Sequence, residues 1–422
     1  MFERILFYIV GVLFLVYLVF LRTCIHPTDV NAHYQAPDDL TKAELGEYNI
    51  PKSKYHRGMV VGIFPYQDEK PVYRKTFDEL YAHGVNTVSL NFNWYMNTIY
   101  DPTVYKGTAD EDNQTASDKI LMSAVDDAHA AGLRVMLFPS IYVMNLSDRE
   151  WRGRIKPTDW DIWFKSYRNL TVELAKVAQK HKVEFYCIGI ELLSTEKYTE
   201  KWRGIIKDIR EVYDGLLCYS ENWDARNKNT EWFHDLDMLA MNAYYKLADE
   251  GEGNPLIEDL VKSWYKHKKD IEDWKKAYKK PLIITEIGYC SVEDALAQPW
   301  DYLSYNPLDM EEQRLGYEAF FRSWYDDSLF DGVYFYHWQG EGGIFDNTYT
   351  PRGKPAAEVL KTWFKMIAAR EAKNDALNDS DNTIKPESET NDEKTDAKDL
   401  SAKANDDITD ENHPDDDESS EK

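Results

Sequence analysis

The chain has 422 residues, 43% of them hydrophobic, and 75 acidic side chains against 50 basic ones give a net charge of −25. That is enough for one large core with accessory segments; it excludes the basic footprint of a nucleic-acid binder and electrostatic adhesion to anionic lipid headgroups. Four cysteines are too few for a disulfide-stapled scaffold, and 13 Trp, 29 Tyr and 17 Phe are an aromatic excess that asks for a use beyond core filling.

In chain order, residues 5–21 form an unbroken apolar run between Arg4 and Arg22. It lies at the short end of the roughly 17–25 residues that span a bilayer. No small-x-small cleavage site follows, and Arg22 and Thr23 precede Cys24 where a lipidated cysteine would follow small residues. Residues 1–22 therefore read as an uncleaved signal anchor, in preference to a cleaved signal or a lipoprotein. Residues 23–55 are polar, carry Pro27, Pro37 and Pro51, and read as a stalk.

From 56 to 370 two kinds of segment alternate. Runs rich in β-branched and aromatic residues fall at 58–64, 85–94, 134–142, 184–192, 216–223, 238–245, 281–289 and 332–338. Amphipathic helical stretches at 73–83, 116–131, 159–181, 199–213, 256–278 and 309–328 separate most of them, and the helix after the fifth strand (229–235) is weak. Several strands are apolar on both faces, as parallel strands covered by helices are. Eight such units in this length predict an α/β fold of the (β/α)8 TIM-barrel class. An open doubly wound sheet would carry a Gly-rich phosphate turn after its first strand, and none follows Phe64.

Residues 371–422 contain 19 acidic residues, 6 lysines and no aromatic residue, so this segment alone carries −13. It cannot bury enough apolar area to offset chain entropy and is expected to be a disordered acidic tail.

In a barrel of this class the active site lies at the C-terminal ends of the strands. Taken in order, those ends hold Phe64, Pro65 and Tyr66; Asn91, Asn93 and Trp94; Ser140 and Tyr142; Glu191; Glu221, Asn222 and Trp223; Asn242, Tyr244 and Tyr245; Glu286 and Tyr289; His337 and Trp338. The ring has no His-x-His pair and no His/Cys cluster at ligand spacing, so no metal and no cofactor is expected. What it does have is carboxylates among aromatics. Glycosidic bond cleavage needs such a pair, one carboxyl to protonate the leaving oxygen and one to attack or to activate water, and sugar C–H faces pack on aromatic rings.

The arrangement resembles clan A of the glycoside hydrolases. Within the clan, Gly58-Met59-Val60-Val61-Gly62, Gly84-Val85-Asn86-Thr87-Val88-Ser89-Leu90, Ile188-Gly189-Ile190-Glu191-Leu192, Ile284-Thr285-Glu286-Ile287-Gly288-Tyr289 and Gly332-Val333-Tyr334-Phe335-Tyr336-His337-Trp338 are similar to glycoside hydrolase family 113, of β-mannanase type. The resemblance implies that Glu191 is the acid/base and Glu286 the nucleophile of a retaining mechanism on a β-1,4-linked glycan, mannan or glucomannan first. It implies a raised pKa at Glu191. It also implies that Tyr245, or its neighbour Tyr244, bonds the nucleophile and that Trp338 floors the cleaved sugar. Trp94, Trp223 and His337 are further substrate-binding candidates. Much of the clan has Asn before the acid/base; here Ile190 stands there, which leaves the sugar 2-hydroxyl to Asn222 and Asn93. Glu221 is expected to be a hydrogen-bonding or structural carboxylate. A non-catalytic carbohydrate-binding barrel and a transglycosylase are the alternative readings. The expected partners are an oligo- or polysaccharide and, through residues 1–22, a membrane, with the barrel on the extracytoplasmic side.

Overall fold

Eight strands close into one parallel barrel in sequence order, each hydrogen-bonded to the next and β8 to β1. They are β1 (His56–Gly62), β2 (Thr87–Met96), β3 (Arg134–Val143), β4 (Phe185–Ile190), β5 (Leu216–Glu221), β6 (Leu239–Asn242), β7 (Leu282–Ile287) and β8 (Gly332–Phe335). The computed structural model describes residues 55–65, 72–107, 115–147, 150–225 and 229–383. The expected (β/α)8 class is the one found.

Seven α-helices lie among the described residues: α1 (Val72–Ala82), α2 (Asp118–Ala130), α3 (Trp160–Lys180), α4 (Thr199–Arg210), α5 (Ile257–Tyr278), α6 (Met310–Trp324) and α7 (Pro355–Thr383). Where the fifth helix would stand there is only a 3-10 turn, Glu231–Asp235, as its weak pattern suggests. Short polar side chains set several helix starts. Ser117 caps α2, Asp159 accepts from the amides of Asp161 and Ile162, and Asp309 accepts from those of Glu311 and Glu312.

Alternation along the strands divides the core into two layers. Val60, Met136, Phe138, Cys187, Cys218, Ile283 and Tyr334 fill the barrel interior. Their neighbours in sequence face the helices and join an outer layer rich in Trp, in which Trp202 stacks on Trp232 with centroids 4.6 Å apart.

The alternation breaks where the chemistry is expected. Register shifts occur between Cys187 and Ile190 in the β4–β5 pairing, and between Met241 and Asn242 where β6 meets β7. A third falls between Ile284 and Ile287 in the β7–β8 pairing. Such bulges re-aim side chains. In β4 the bulge needs Gly189: a Cβ there would come within 2.8 Å of the Tyr219 ring. Ile190 then turns into the barrel interior and Glu191 takes a left-handed backbone, φ 53°. A non-glycine residue there costs about 1–3 kcal/mol, the kind of local strain that collects at functional sites.

The C-terminal helix runs past the expected end of the domain. The expected boundary at Arg370 lies within α7, which continues to Thr383, and the compact unit ends at Asn374. Glu371 is part of that unit: its carboxylate accepts from the Arg57 guanidinium and from the Tyr55 amide. Low aromatic content hid this, since the segment is held by an ion pair and not by apolar area. The expected anchor and stalk, residues 1–54, and the acidic tail beyond Thr383 lie outside the described residues. Among the described residues no helix is long and apolar enough to cross a membrane.

Candidate active site

Glu191 and Glu286 leave the ends of β4 and β7 and are both 7% exposed. The two are electrostatically coupled, with Arg152 beside both. Each carboxyl has its own donors. Asn242 Nδ2 donates to Glu191 Oε1 at 2.8 Å, and Arg152 Nη2 donates to Oε2 at 2.5 Å. Tyr244 Oη donates to Glu286 Oε2 at 3.0 Å. Behind them, Ser220 Oγ and Thr285 Oγ1 lie 2.8 and 3.1 Å from Asn242 Oδ1 and 2.6 Å from each other.

Burial first, and then the Glu191 charge, pushes the Glu286 carboxyl up to about 7; Arg152 and the Tyr244 hydrogen bond pull the other way. The upward push falls on Glu286, the expected nucleophile. Arg152, the cation beside both, stands on a 3-10 turn (Arg152–Arg154) after β3 that no strand-end pattern marks. Two like charges held close in a buried site make double ionisation costly, which favours one proton on the pair. That is the protonation state a pair needs if one member donates a proton while the other attacks.

The other candidates separate into those that meet this pair and those that do not. Tyr244 meets it; Tyr245 turns away, stacked on His267 of α5 at 4.1 Å. Alternation decides between them, since Ala240 and Asn242 point inward and put Tyr244 on the same side. Trp338 is 1% exposed and packs edge-on against His83, which follows α1, away from the carboxyl pair. The chain leaves the strand after Phe335, and Tyr336, electrostatically coupled to Glu286 and Arg152, is the β8 aromatic beside the pair. Trp94 is likewise outward, buried against Tyr167 and Phe92. Its even position in β2, in step with Val88, Leu90 and Phe92, carries that information.

Asn222 is committed to its own turn, donating to Asp224 at 2.8 Å and accepting from the Trp223 amide at 2.9 Å. The Asn93 side chain bonds Tyr95. His337 is half-buried beside Tyr336 and Tyr349, and burial lowers its pKa to about 4, so it is neutral near pH 7. Trp223 stacks on Trp300, centroids 5.5 Å apart and planes 17° from parallel, and Trp300 is 45% exposed. Trp300 and Tyr302 belong to the long β7–α6 connection, and Tyr302 is coupled to Tyr336. Tyr66 falls outside the described residues.

Glu221 points outward from β5, fully buried, and bonds Glu196. Glu196 also accepts from Tyr219 Oη at 2.9 Å, and its carboxyl is pushed up to about 7 by burial. Trp232 Nε1 donates to the Glu196 carbonyl at 2.9 Å. This second carboxyl pair anchors the turn that follows Glu191.

The family model for glycoside hydrolase family 113 matches residues 66–353. A solved family 113 β-mannanase, AaManA from Alicyclobacillus acidocaldarius in complex with ManMIm, is 28% identical, with a TM-score of 0.64; the match covers 74% of this chain and 98% of that one. A second family 113 β-1,4-mannanase is 22% identical with a TM-score of 0.61, covering 74% and 99%. A β-D-glucuronidase of Dictyoglomus thermophilum, 16% identical with a TM-score of 0.51, covers 74% of this chain and 50% of its own and shares the fold. No curated protein sequence matches significantly.

Proposed function

The chain belongs to glycoside hydrolase family 113 and is a glycoside hydrolase, and from that premise we propose a retaining endo-β-1,4-mannanase acting on mannan or glucomannan. Glu286 attacks the anomeric carbon as the glycosidic C–O bond breaks, and Glu191 gives its proton to the leaving oxygen. Glu191 then takes a proton from water, which attacks the glycosyl-enzyme and frees Glu286. The supporting observation is that bulges at the ends of β4 and β7 turn two buried carboxyls to one site, with a phenol donating to Glu286. The 28%-identical β-mannanase supports the choice of glycan.

Tyr244 stabilises the ionised nucleophile, and Tyr336 lies under the sugar being cleaved. The exposed face of Trp300, backed by Trp223, offers a stacking platform for a neighbouring sugar. The barrel is tethered to a membrane by residues 5–21, a reading supported by the apolar run alone, and it faces the extracytoplasmic side, a reading supported by the glycan-degrading role. Fractionation of cells expressing the chain with and without residues 1–22 tests that tether; equal partition into the soluble fraction contradicts it.

The full chain is to be assayed on mannan, glucomannan, xylan and cellulose oligosaccharides, with NMR of the fresh products. Mannan or glucomannan cleavage with retained anomeric configuration is expected. Cleavage of xylan or cellulose alone overturns the substrate, and inversion overturns the mechanism.

A further inference from the structure

Glu191 has both oxygens occupied, by two different kinds of partner. Asn242 is fully buried and wedged, its Oδ1 beside the Ser220 and Thr285 hydroxyls and its Nδ2 on Glu191 Oε1. Facing a carboxylate, that amide nitrogen can only donate, so Oε1 has no room for a proton on that side. The transferable proton of Glu191 therefore belongs on Oε2, the oxygen that Arg152 occupies. A guanidinium is also a pure donor and holds its partner ionised. With both donors in place neither Glu191 oxygen is free to present a proton to a leaving group.

The two donors differ in how firmly they are held. Asn242 sits among three side-chain partners from β4, β5 and β7. Arg152 reaches Glu191 through one nitrogen, its Nε has no protein partner, and its side chain is 29% exposed. Its 3-10 turn has no side-chain cap. The charged and titratable groups around it are Glu191, Glu286, Tyr336 and Tyr244, from β4, β7, β8 and the segment after β6.

We propose that Arg152 is a displaceable counter-ion: it neutralises Glu191 in the empty enzyme and is driven off Oε2 by the leaving-group sugar, so that glycan entry arms the acid. The proposal rests on the reading of Glu191 as acid/base. In the empty site the proton of the pair sits on Glu286, the carboxyl that burial and the Glu191 charge push up. When the glycosidic oxygen takes the place of Arg152 at Oε2, that proton relocates to Glu191. The pair gains and loses no proton: Glu286 becomes the ionised nucleophile as Glu191 becomes the acid. Arg152 is thus a positioning residue that acts through Glu191.

The test compares pH profiles of kcat/KM, which report the free enzyme, with those of kcat, which report the complex. The full chain, R152M and R152K are assayed on a β-1,4-mannooligosaccharide. Removing a cation that favours the charged form raises the pKa at which the pair loses its last proton. In R152M the alkaline limb of kcat/KM moves up by about one unit or more, and the limb of kcat stays in place. R152K, which keeps the cation, keeps the wild-type limb. An unmoved kcat/KM limb in folded R152M overturns the proposal, as does an equal shift in both profiles, which would leave Arg152 on Glu191 during turnover. If R152M does not fold, the wild type decides: its kcat limb lies above its kcat/KM limb, and coincident limbs overturn the idea. Glu191→Ala separates this from the parent reading. That variant loses turnover on the oligosaccharide; on a dinitrophenyl β-mannoside, whose leaving group needs no acid, it still releases a burst of dinitrophenol, and added azide, which attacks the glycosyl-enzyme without a general base, restores turnover. Wild-type turnover of the oligosaccharide by Glu191→Ala sinks the acid/base assignment itself, whatever Arg152 does.

Discussion

Two buried carboxyl pairs stand a few residues apart in this barrel, and they differ in everything except burial and titration. Glu191 and Glu286 face inward; Glu196 and Glu221 face outward, between β5 and the helices. In each pair burial pushes one carboxyl up to about 7. The inner pair has a cation, an amide and a phenol as donors, and each carboxyl keeps some exposure. In the outer pair Glu196, 6% exposed, accepts from Tyr219, which packs edge-on against Trp202 and Trp232, and Glu221 is fully buried. A perturbed carboxyl is a candidate for chemistry, but here the shift alone does not separate catalyst from clamp. Direction and donors do.

The largest expected effect breaks the comparison if it fails. Glu286→Ala should lower kcat on a mannooligosaccharide by about 10⁴-fold or more, whereas Glu221→Gln stays within about threefold. Similar losses in both would make the outer pair part of the reaction.

Next comes stability against pH. Glu196 keeps its proton in the folded state up to about 7, well above its ordinary range near 4.5. The folded protein thus binds more protons than the unfolded chain between those values, and the stability this confers is lost as pH rises through the window. The change is on the order of 3 kcal/mol. The doubly substituted E196Q/E221Q chain has no such proton to lose, so its melting temperature should fall less steeply from pH 4.5 to 7 than that of the wild type. Parallel curves would contradict the clamp.

A smaller effect sharpens the account of the inner pair. Removing the phenol in Tyr244→Phe takes away a hydrogen bond to a charged group, worth about 1.5–3 kcal/mol, and should cost roughly 10- to 100-fold in kcat/KM. Tyr245→Phe, on the other side of the same segment, should cost almost nothing. The smallest effect is at the rim, where Trp300→Ala should raise KM on long oligosaccharides by about two- to tenfold and leave the melting temperature unchanged. An unchanged KM would remove Trp300 from the substrate path.

The barrel was legible because eight apolar runs and their intervening amphipathic stretches repeat one physical unit. Glu191 and Glu286 were legible because a charge at the end of a hydrophobic strand is conspicuous. Tyr244 and the outward Trp94 were within reach of strict alternation. Trp338 was not, since the chain leaves the strand before it and parity stops applying. Arg152 lies on a connection with no periodicity, and only the folded chain brings it to Glu191. Asn242 stood in the ring of strand ends, but what singles it out is the hydroxyl pair from β5 and β7 behind it, a meeting of three strands that spacing along one chain does not encode. Glu371 was assigned to the tail on composition, because one ion pair to Arg57 leaves no compositional trace.

The division of labour between the two inner carboxyls is tested most directly by trapping the glycosyl-enzyme. The full chain would be incubated with an activated fluoro-sugar mannoside, digested and mapped by mass spectrometry. A single sugar adduct on Glu286 is the predicted result. An adduct on Glu191, or no adduct together with inverted product, would contradict it.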